Sequence, residues 1–208
     1  MSLYTSLDSV NITTDPMSGH VPELIEPQER KSLPKFIAIN SDENGNVKFR
    51  IYSNFYTGSV RLTTEMFGVL YPTYAESVYL AGSYDSSLSY LDYPFILNIL
   101  PGGVIRKEAG DKGFRVGIRK YNSPHIGDNI IFLIEDEDNK VIQFKPAYSV
   151  DYVDGVPNVG GYNYQLSYEN VPFNKRMSFY YIVINFSGNY SFSKKLSVIF
   201  VDDTGDGR

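Results

Sequence analysis

The side chains that can carry chemistry in this chain are few, and they are spread apart. Among 208 residues there is no Cys and there are two His, His20 and His125. Acyl-transfer catalysis needs a nucleophile, a histidine and an orienting acid in one place. His20 sits in a Ser- and Pro-containing stretch and His125 follows Pro124 in a turn, and the Gly-x-Ser-x-Gly elbow is absent. The run Glu135-Asp136-Glu137-Asp138 offers carboxylates, but consecutive side chains in an extended chain point alternately, so the run reads as a solvated turn rather than a glycosidase pair. Asp202, Asp203 and Asp206, with Gly205 and Gly207, supply oxygens of the kind calcium takes. Their spacing lacks the twelve-residue loop and its closing Glu, so they read as an acidic end. Gly102-Gly103 and Gly160-Gly161 lack the Lys-Ser or helix start of a phosphate loop. The expectation is a non-enzymatic protein with no catalytic residue, no cofactor and no metal.

Aromatic residues carry the remaining signal. The chain has 18 Tyr and 13 Phe but no Trp, and Tyr71, Tyr74, Tyr79, Tyr84, Tyr90 and Tyr93 crowd one stretch. Such rings can stack on sugars, anchor a protein interface at low entropic cost, or cover a core from a strand edge. All three roles stay open. Residues 1–34 are rich in Ser, Thr, Asp and Pro without a sustained period, and Pro16, Pro22, Pro27 and Pro34 each interrupt regular structure. They read as an extended N-terminal arm able to lie on a neighbouring subunit, with Val21, Leu24 and Ile25 as anchors.

The elements that must position these residues are strands. Phe36–Asn40 and Val47–Ser53 flank Asp42-Glu43-Asn44-Gly45-Asn46, a hairpin signature, and Val47, Phe49 and Ile51 alternate with polar neighbours. Ser59–Met66, Ser77–Ala81 and Phe95–Leu100 are further short strands, with a short helix within Leu62–Tyr71 as an alternative. Residues 35–101 therefore form a small β-rich domain. Pro101-Gly102-Gly103 marks a domain boundary or a turn between sheets. Beyond it, Phe114, Val116 and Ile118 alternate, Asn129–Ile134 is densely apolar, Lys140–Val150 is its return strand, and Tyr162–Tyr168, Met177–Phe186 and Leu196–Phe200 follow. Strands at this spacing predict an all-β protein with a sandwich over 102–203 and an acidic tail over 204–208.

Charge narrows the partners. With 19 Lys and Arg against 24 Asp and Glu, the formal net charge is -5, which is no footprint for nucleic acid. The first residues lack the basic start and apolar middle of a secretory signal, and no apolar run approaches the ~20 residues that span a bilayer. No membrane is expected.

From Tyr168 to Asp202 the sequence runs Tyr168-Glu169-Asn170-Val171-Pro172, then Tyr180-Tyr181-Ile182-Val183, Ser187-Gly188-Asn189-Tyr190-Ser191 and Leu196-Ser197-Val198-Ile199-Phe200-Val201. This resembles the last strands of bacterial and phage immunoglobulin-like repeats, and Gly127-Asp128-Asn129-Ile130-Ile131 is similar to the start of an early strand in them. Lacking Trp and Cys, it is not the antibody type. The tail Asp202-Asp203-Thr204-Gly205-Asp206-Gly207-Arg208 is similar to a Gly-Thr-Gly-Asp motif of subunit-joining segments in tailed-phage baseplate and fibre proteins. The resemblance implies a structural component of a phage virion (tail, baseplate, neck or capsid surface) assembled in the host cytoplasm with other virion proteins and copies of itself. The alternative it leaves is a glycan- or protein-binding module for host-surface attachment, working through the Tyr71–Tyr93 stretch.

Overall fold

The computed structural model describes residues 10–15, 21–30, 33–53, 58–64, 73–80, 83–153, 156–185 and 189–204. The protein is all-β: its short strands form several sheets, with one 3-10 turn at Ser86–Leu88 and no α-helix among the described residues. It divides into two compact units, Met1–Ser83 and Tyr84–Arg208. The chain thus divides after Ser83 rather than at the Pro101-Gly102-Gly103 break.

The first unit contains β1 (Val10–Thr14), β2 (Gln28–Arg30), β3 (Leu33–Phe36), β4 (Phe49–Ser53), β5 (Gly58–Thr64) and β6 (Thr73–Leu80), paired antiparallel as β1–β4, β2–β3 and β5–β6. Two expectations change here. Residues 10–14 do not belong to a free arm: Val10 and Ile12 are buried, Ile12 lies opposite Ile51, and Ile25, Ile37, Phe49, Ile51 and Leu80 pack against them. The backbone also ties residues 23–25 to β1, through Thr14 N to Glu23 O at 2.9 Å and Ile25 N to Ile12 O at 2.8 Å. The Asn44-Gly45 turn forms, with the Asp42 carboxylate accepting from the N–H of Asn44 at 2.9 Å and of Asn46 at 2.8 Å, and with Gly45 at φ 80°. Its flanks do not pair with each other, however. Phe36 pairs with Gln28, and β4 pairs with β1, where burial of the alternating Ile51 face fixes the register. Leu62–Thr64, the start of the alternative helix, is strand, and 65–72 lie outside the described residues.

The second unit contains β7 (Phe95–Ile96), β8 (Val104–Lys107), β9 (Gly113–Gly117), β10 (Asn129–Glu135), β11 (Val141–Gln143), β12 (Tyr148–Ser149), β13 (Tyr152–Val153), β14 (Val156–Pro157), β15 (Tyr164–Ser167), β16 (Lys175–Ile184), β17 (Tyr190–Phe192) and β18 (Leu196–Asp202). One sheet runs β15-β9-β7. The other runs β11-β10-β16-β18-β8, with β12 added to β10 and β17 to β16. Pairing is antiparallel except for β8, which lies parallel to β18. The Pro101–Gly103 turn, with Gly102 at φ 78°, carries the chain from one sheet to the other.

The two sheets form a β-sandwich whose core is shared between their inner faces. Phe114 of β9 meets Phe179 at 6.2 Å and Phe200 at 5.4 Å between ring centroids, and Phe132 of β10 meets Tyr164 of β15 at 5.2 Å. Val116, Leu166, Phe179, Val198 and Phe200 are fully buried. The Leu196, Val198, Phe200 alternation therefore reads directly as an inner face. Ile130 to Ile134 are all buried, which explains the unbroken apolar run: β10 is covered on both faces, so it has no polar side to alternate. The expected return strand over Lys140–Val150 is broken into β11 and β12, both paired to β10, because Phe144 turns into the core between them.

Candidate functional site

The strands of the second unit leave a cleft of mixed polarity where β9 gives way to the loop before β10. Its volume is about 530 Å³. Three chain segments build it. Tyr90, Leu91 and Asp92 come from the connection that precedes β7, Arg119 to Ser123 with His125 and Asp128 from the loop between β9 and β10, and Tyr181, Val183, Asn185, Asn189 and Ser191 from β16 and β17 with their turn.

A buried acid organises the loop. Asp128 is almost wholly buried, and its Oδ2 accepts from the Tyr121 hydroxyl at 2.8 Å and from the backbone N–H of His125 at 3.0 Å. Its own N–H returns to the carbonyl of His125 at 3.1 Å, and its carbonyl accepts from Val150 N–H at 2.8 Å. A buried carboxylate must collect donors of this kind, and in doing so it closes the Pro124–Asp128 turn and orients the Tyr121 ring. Burial, with the Asp128 carboxylate, pushes the Tyr121 phenol far above the usual tyrosine range, so it stays a donor. Burial also raises the phenol of Tyr181, helped by Asp92 and Tyr164. Tyr164 is buried and its hydroxyl has no hydrogen-bond partner among the described residues. It lies near enough to Tyr121 and Tyr181 to disfavour their ionised forms.

At the rim, Asp92 faces Arg119 at 3.4 Å and Lys194 at 3.8 Å, both through largely exposed side chains, so these pairs contribute little to stability. Tyr90 stands 74% exposed at the edge. The Asn185 side-chain carbonyl accepts from Asn189 N–H at 2.9 Å, which fixes one amide at the mouth.

The expected site residues are scattered. Val21 (82% exposed) and Leu24 are exposed in the first unit, while Ile25 packs on its small core. Tyr74 and Tyr79 lie on β6 opposite Thr63 and Ser59, and Tyr71 lies outside the described residues. Tyr84, Tyr90 and Tyr93 belong to the second unit. Tyr84 is structural: its hydroxyl donates to the Ser193 carbonyl at 3.2 Å and shares a hydrogen bond with the Ser89 hydroxyl at 2.9 Å, and its ring meets Tyr180 and Phe192, each at 5.2 Å. Tyr93 is exposed, and Tyr90 alone of the cluster lines the cleft.

The acids separate too. Glu135 is not part of a solvated turn: it is buried at the end of β10 and paired with Lys195 Nζ at 2.7 Å, and that ammonium sits 4.2 Å from the Tyr84 ring centroid. Asp136 to Asp138 form the turn, closed by Asp136 Oδ1 accepting from Asp138 N–H at 3.0 Å and Lys140 N–H at 2.8 Å. Asp202 and Asp203 are held by Lys107 at 3.3 Å and Arg106 at 2.8 Å, across the parallel β8–β18 edge, and Asp206 lies outside the described residues. His125 lines the cleft, but its ring is hydrogen-bonded to no serine or acid among the described residues, and His20 lies outside them. Among the described residues no three His, Asp or Glu converge as a metal group.

No family model, no curated protein and no solved structure matches this chain. The cleft is therefore read on its own chemistry. Sequence reasoning passed over Tyr121, Asn122, Asp128, Tyr181 and Asn185. The Gly127-Asp128 pair was visible as a strand start, but nothing local announced a buried acid meeting a tyrosine seven residues away.

Proposed function

We propose that this chain is a non-catalytic structural and assembly protein whose second unit is an immunoglobulin-like sandwich. One observation carries the reading, the strand order. In such sandwiches the second and fifth strands pair in one sheet, while the third, sixth and seventh pair in the other. Counting β7 and β8 together as a first strand shared between the sheets, taking the short β11 to β14 together as the fourth, and setting aside the short β17 added to β16, β9 and β15 take the second and fifth positions and β10, β16 and β18 the third, sixth and seventh. Fold alone does not fix function. The assembly reading adds the exposed apolar pair Val21 and Leu24 on a chain segment held against β1, and a cleft whose side chains bind rather than react. With the tail resemblance, the setting that fits is a phage virion, assembled in the host cytoplasm from this protein, further copies of it and other virion proteins.

Light scattering on the purified chain, with imaging of particles from the producing cell, tests the proposal. The expected results are a discrete oligomer, its dissociation by Val21→Asp with Leu24→Asp, and the chain's presence in particles. A monomer at all concentrations, together with absence from every particle, overturns it.

A further inference from the structure

We infer that the cleft between Tyr90, Tyr121, Asn122, Tyr181 and Asn185 is a binding site for a neutral saccharide. This goes beyond the assembly reading and stands without it.

The lining chemistry selects the ligand. A sugar presents a weakly apolar ring face and a fringe of hydroxyls that both donate and accept. The cleft answers each part. Tyr90 supplies an exposed ring at the rim, and Tyr121 and Tyr181 supply phenols inside it. Asn122, Asn185 and Asn189 supply amides, which donate and accept at once, and Ser123 and Ser191 supply hydroxyls. Leu91 and Val183 are the aliphatic lining residues, so a purely apolar ligand would strand most of the polar groups around it. The volume, about 530 Å³, lies in the range of small-molecule sites.

Charge argues for a neutral ligand. Arg119 and Lys120 are the cations of the lining. Asp92 lies against Arg119, and Asp128 is already engaged by Tyr121 and His125. No pair of cations stands clear of an acid to clamp a carboxylate or phosphate.

The walls are preorganised. The Asp128 carboxylate holds the Tyr121 hydroxyl, and the carbonyl oxygen of the Asn185 side chain is fixed by Asn189 N–H. Binding thus orders few groups, which favours recognition of a small rigid ring.

The test uses the full chain on a glycan array carrying neutral hexose, N-acetylhexosamine and sialylated glycans, with hits confirmed by saturation-transfer NMR on the free oligosaccharide. Retention of neutral or N-acetylated glycans is expected. Tyr90→Ala and Asn122→Ala should each weaken binding about tenfold, the usual scale for truncating an anchor at a binding surface. Both residues are exposed, so their thermal unfolding should match the parent's. Tyr152→Ala, at an exposed tyrosine outside the cleft lining, should bind like the parent. Silence across the array and in millimolar saturation transfer with glucose, galactose and N-acetylglucosamine overturns the inference, as does retention of sialylated glycans alone. Binding insensitive to both cleft substitutions also overturns it.

Discussion

Two substitutions that each delete one oxygen atom, Tyr121→Phe and Tyr164→Phe, should move stability in opposite directions. Tyr121 is partly buried in the cleft wall and Tyr164 is buried in the core, and both rings keep their packing as Phe. The Tyr121 hydroxyl donates to the buried Asp128 carboxylate at 2.8 Å, and a hydrogen bond to a charged group contributes about 1.5–3 kcal/mol. Removing it also leaves a buried carboxylate with one donor fewer. Tyr121→Phe should therefore destabilise the sandwich by about 2 kcal/mol. The Tyr164 hydroxyl is buried without a partner, and an unsatisfied buried polar group costs about 1–3 kcal/mol, so Tyr164→Phe should stabilise by about 1 kcal/mol. The chain holds two units, and a single melting curve mixes them. Native-state amide exchange of Leu133 and Ile182, buried within β10 and β16, reads the sandwich alone. At tenfold per 1.4 kcal/mol, exchange should speed up about thirtyfold in Tyr121→Phe and slow about fivefold in Tyr164→Phe. If both variants moved the same way, the hydrogen-bond assignment of these two hydroxyls would be wrong.

Lys195→Met should destabilise the sandwich by about 3 kcal/mol because it leaves the Glu135 carboxylate buried without its cation, and Glu135→Leu added to it should recover most of that loss; urea titration of the single and double variants decides. Gly113→Ala should cost about 2–3 kcal/mol, since a Cβ there would lie 2.0 Å from the Leu166 carbonyl oxygen and force β9 away from β15, a change amide exchange along β15 would locate. Burial pushes the phenols of Tyr164 and Tyr168 up to about 12, so the folded state keeps protons that the unfolded chain releases from about pH 10. Their contribution is intact below pH ~10 and is lost as pH rises to about 12, by up to about 1.4 kcal/mol per pH unit per group. Tyrosinate absorbance and circular dichroism should then change together in that window, and full ionisation of these phenols with the fold intact would contradict their burial.

The sequence by itself determined the class of structure. Period-two alternation at Phe114, Val116 and Ile118 and at Leu196, Val198 and Phe200 names inward faces before any partner is known, because a pleated strand sends successive side chains to opposite sides. Turn chemistry was equally local: Asn44-Gly45 and Asp136–Asn139 close as their residue types dictate, through an Asp carboxylate capping backbone N–H groups and a positive φ at Gly45 and Asn139. Pairing was a different matter. That β4 takes β1 rather than the neighbouring residues, that β8 runs parallel to β18, and that Lys195 reaches Glu135 depend on which apolar faces are covered, a property of the whole fold. The cleft is the extreme case. Tyr90, Tyr121, Asp128 and Tyr181 belong to segments far apart in the chain, and each alone reads as an ordinary turn or strand residue. Only closure of the sandwich makes Asp128 a buried acid, Tyr121 its donor and Tyr164 a donor left waiting, because burial, which no local pattern encodes, is what gives those groups their chemistry.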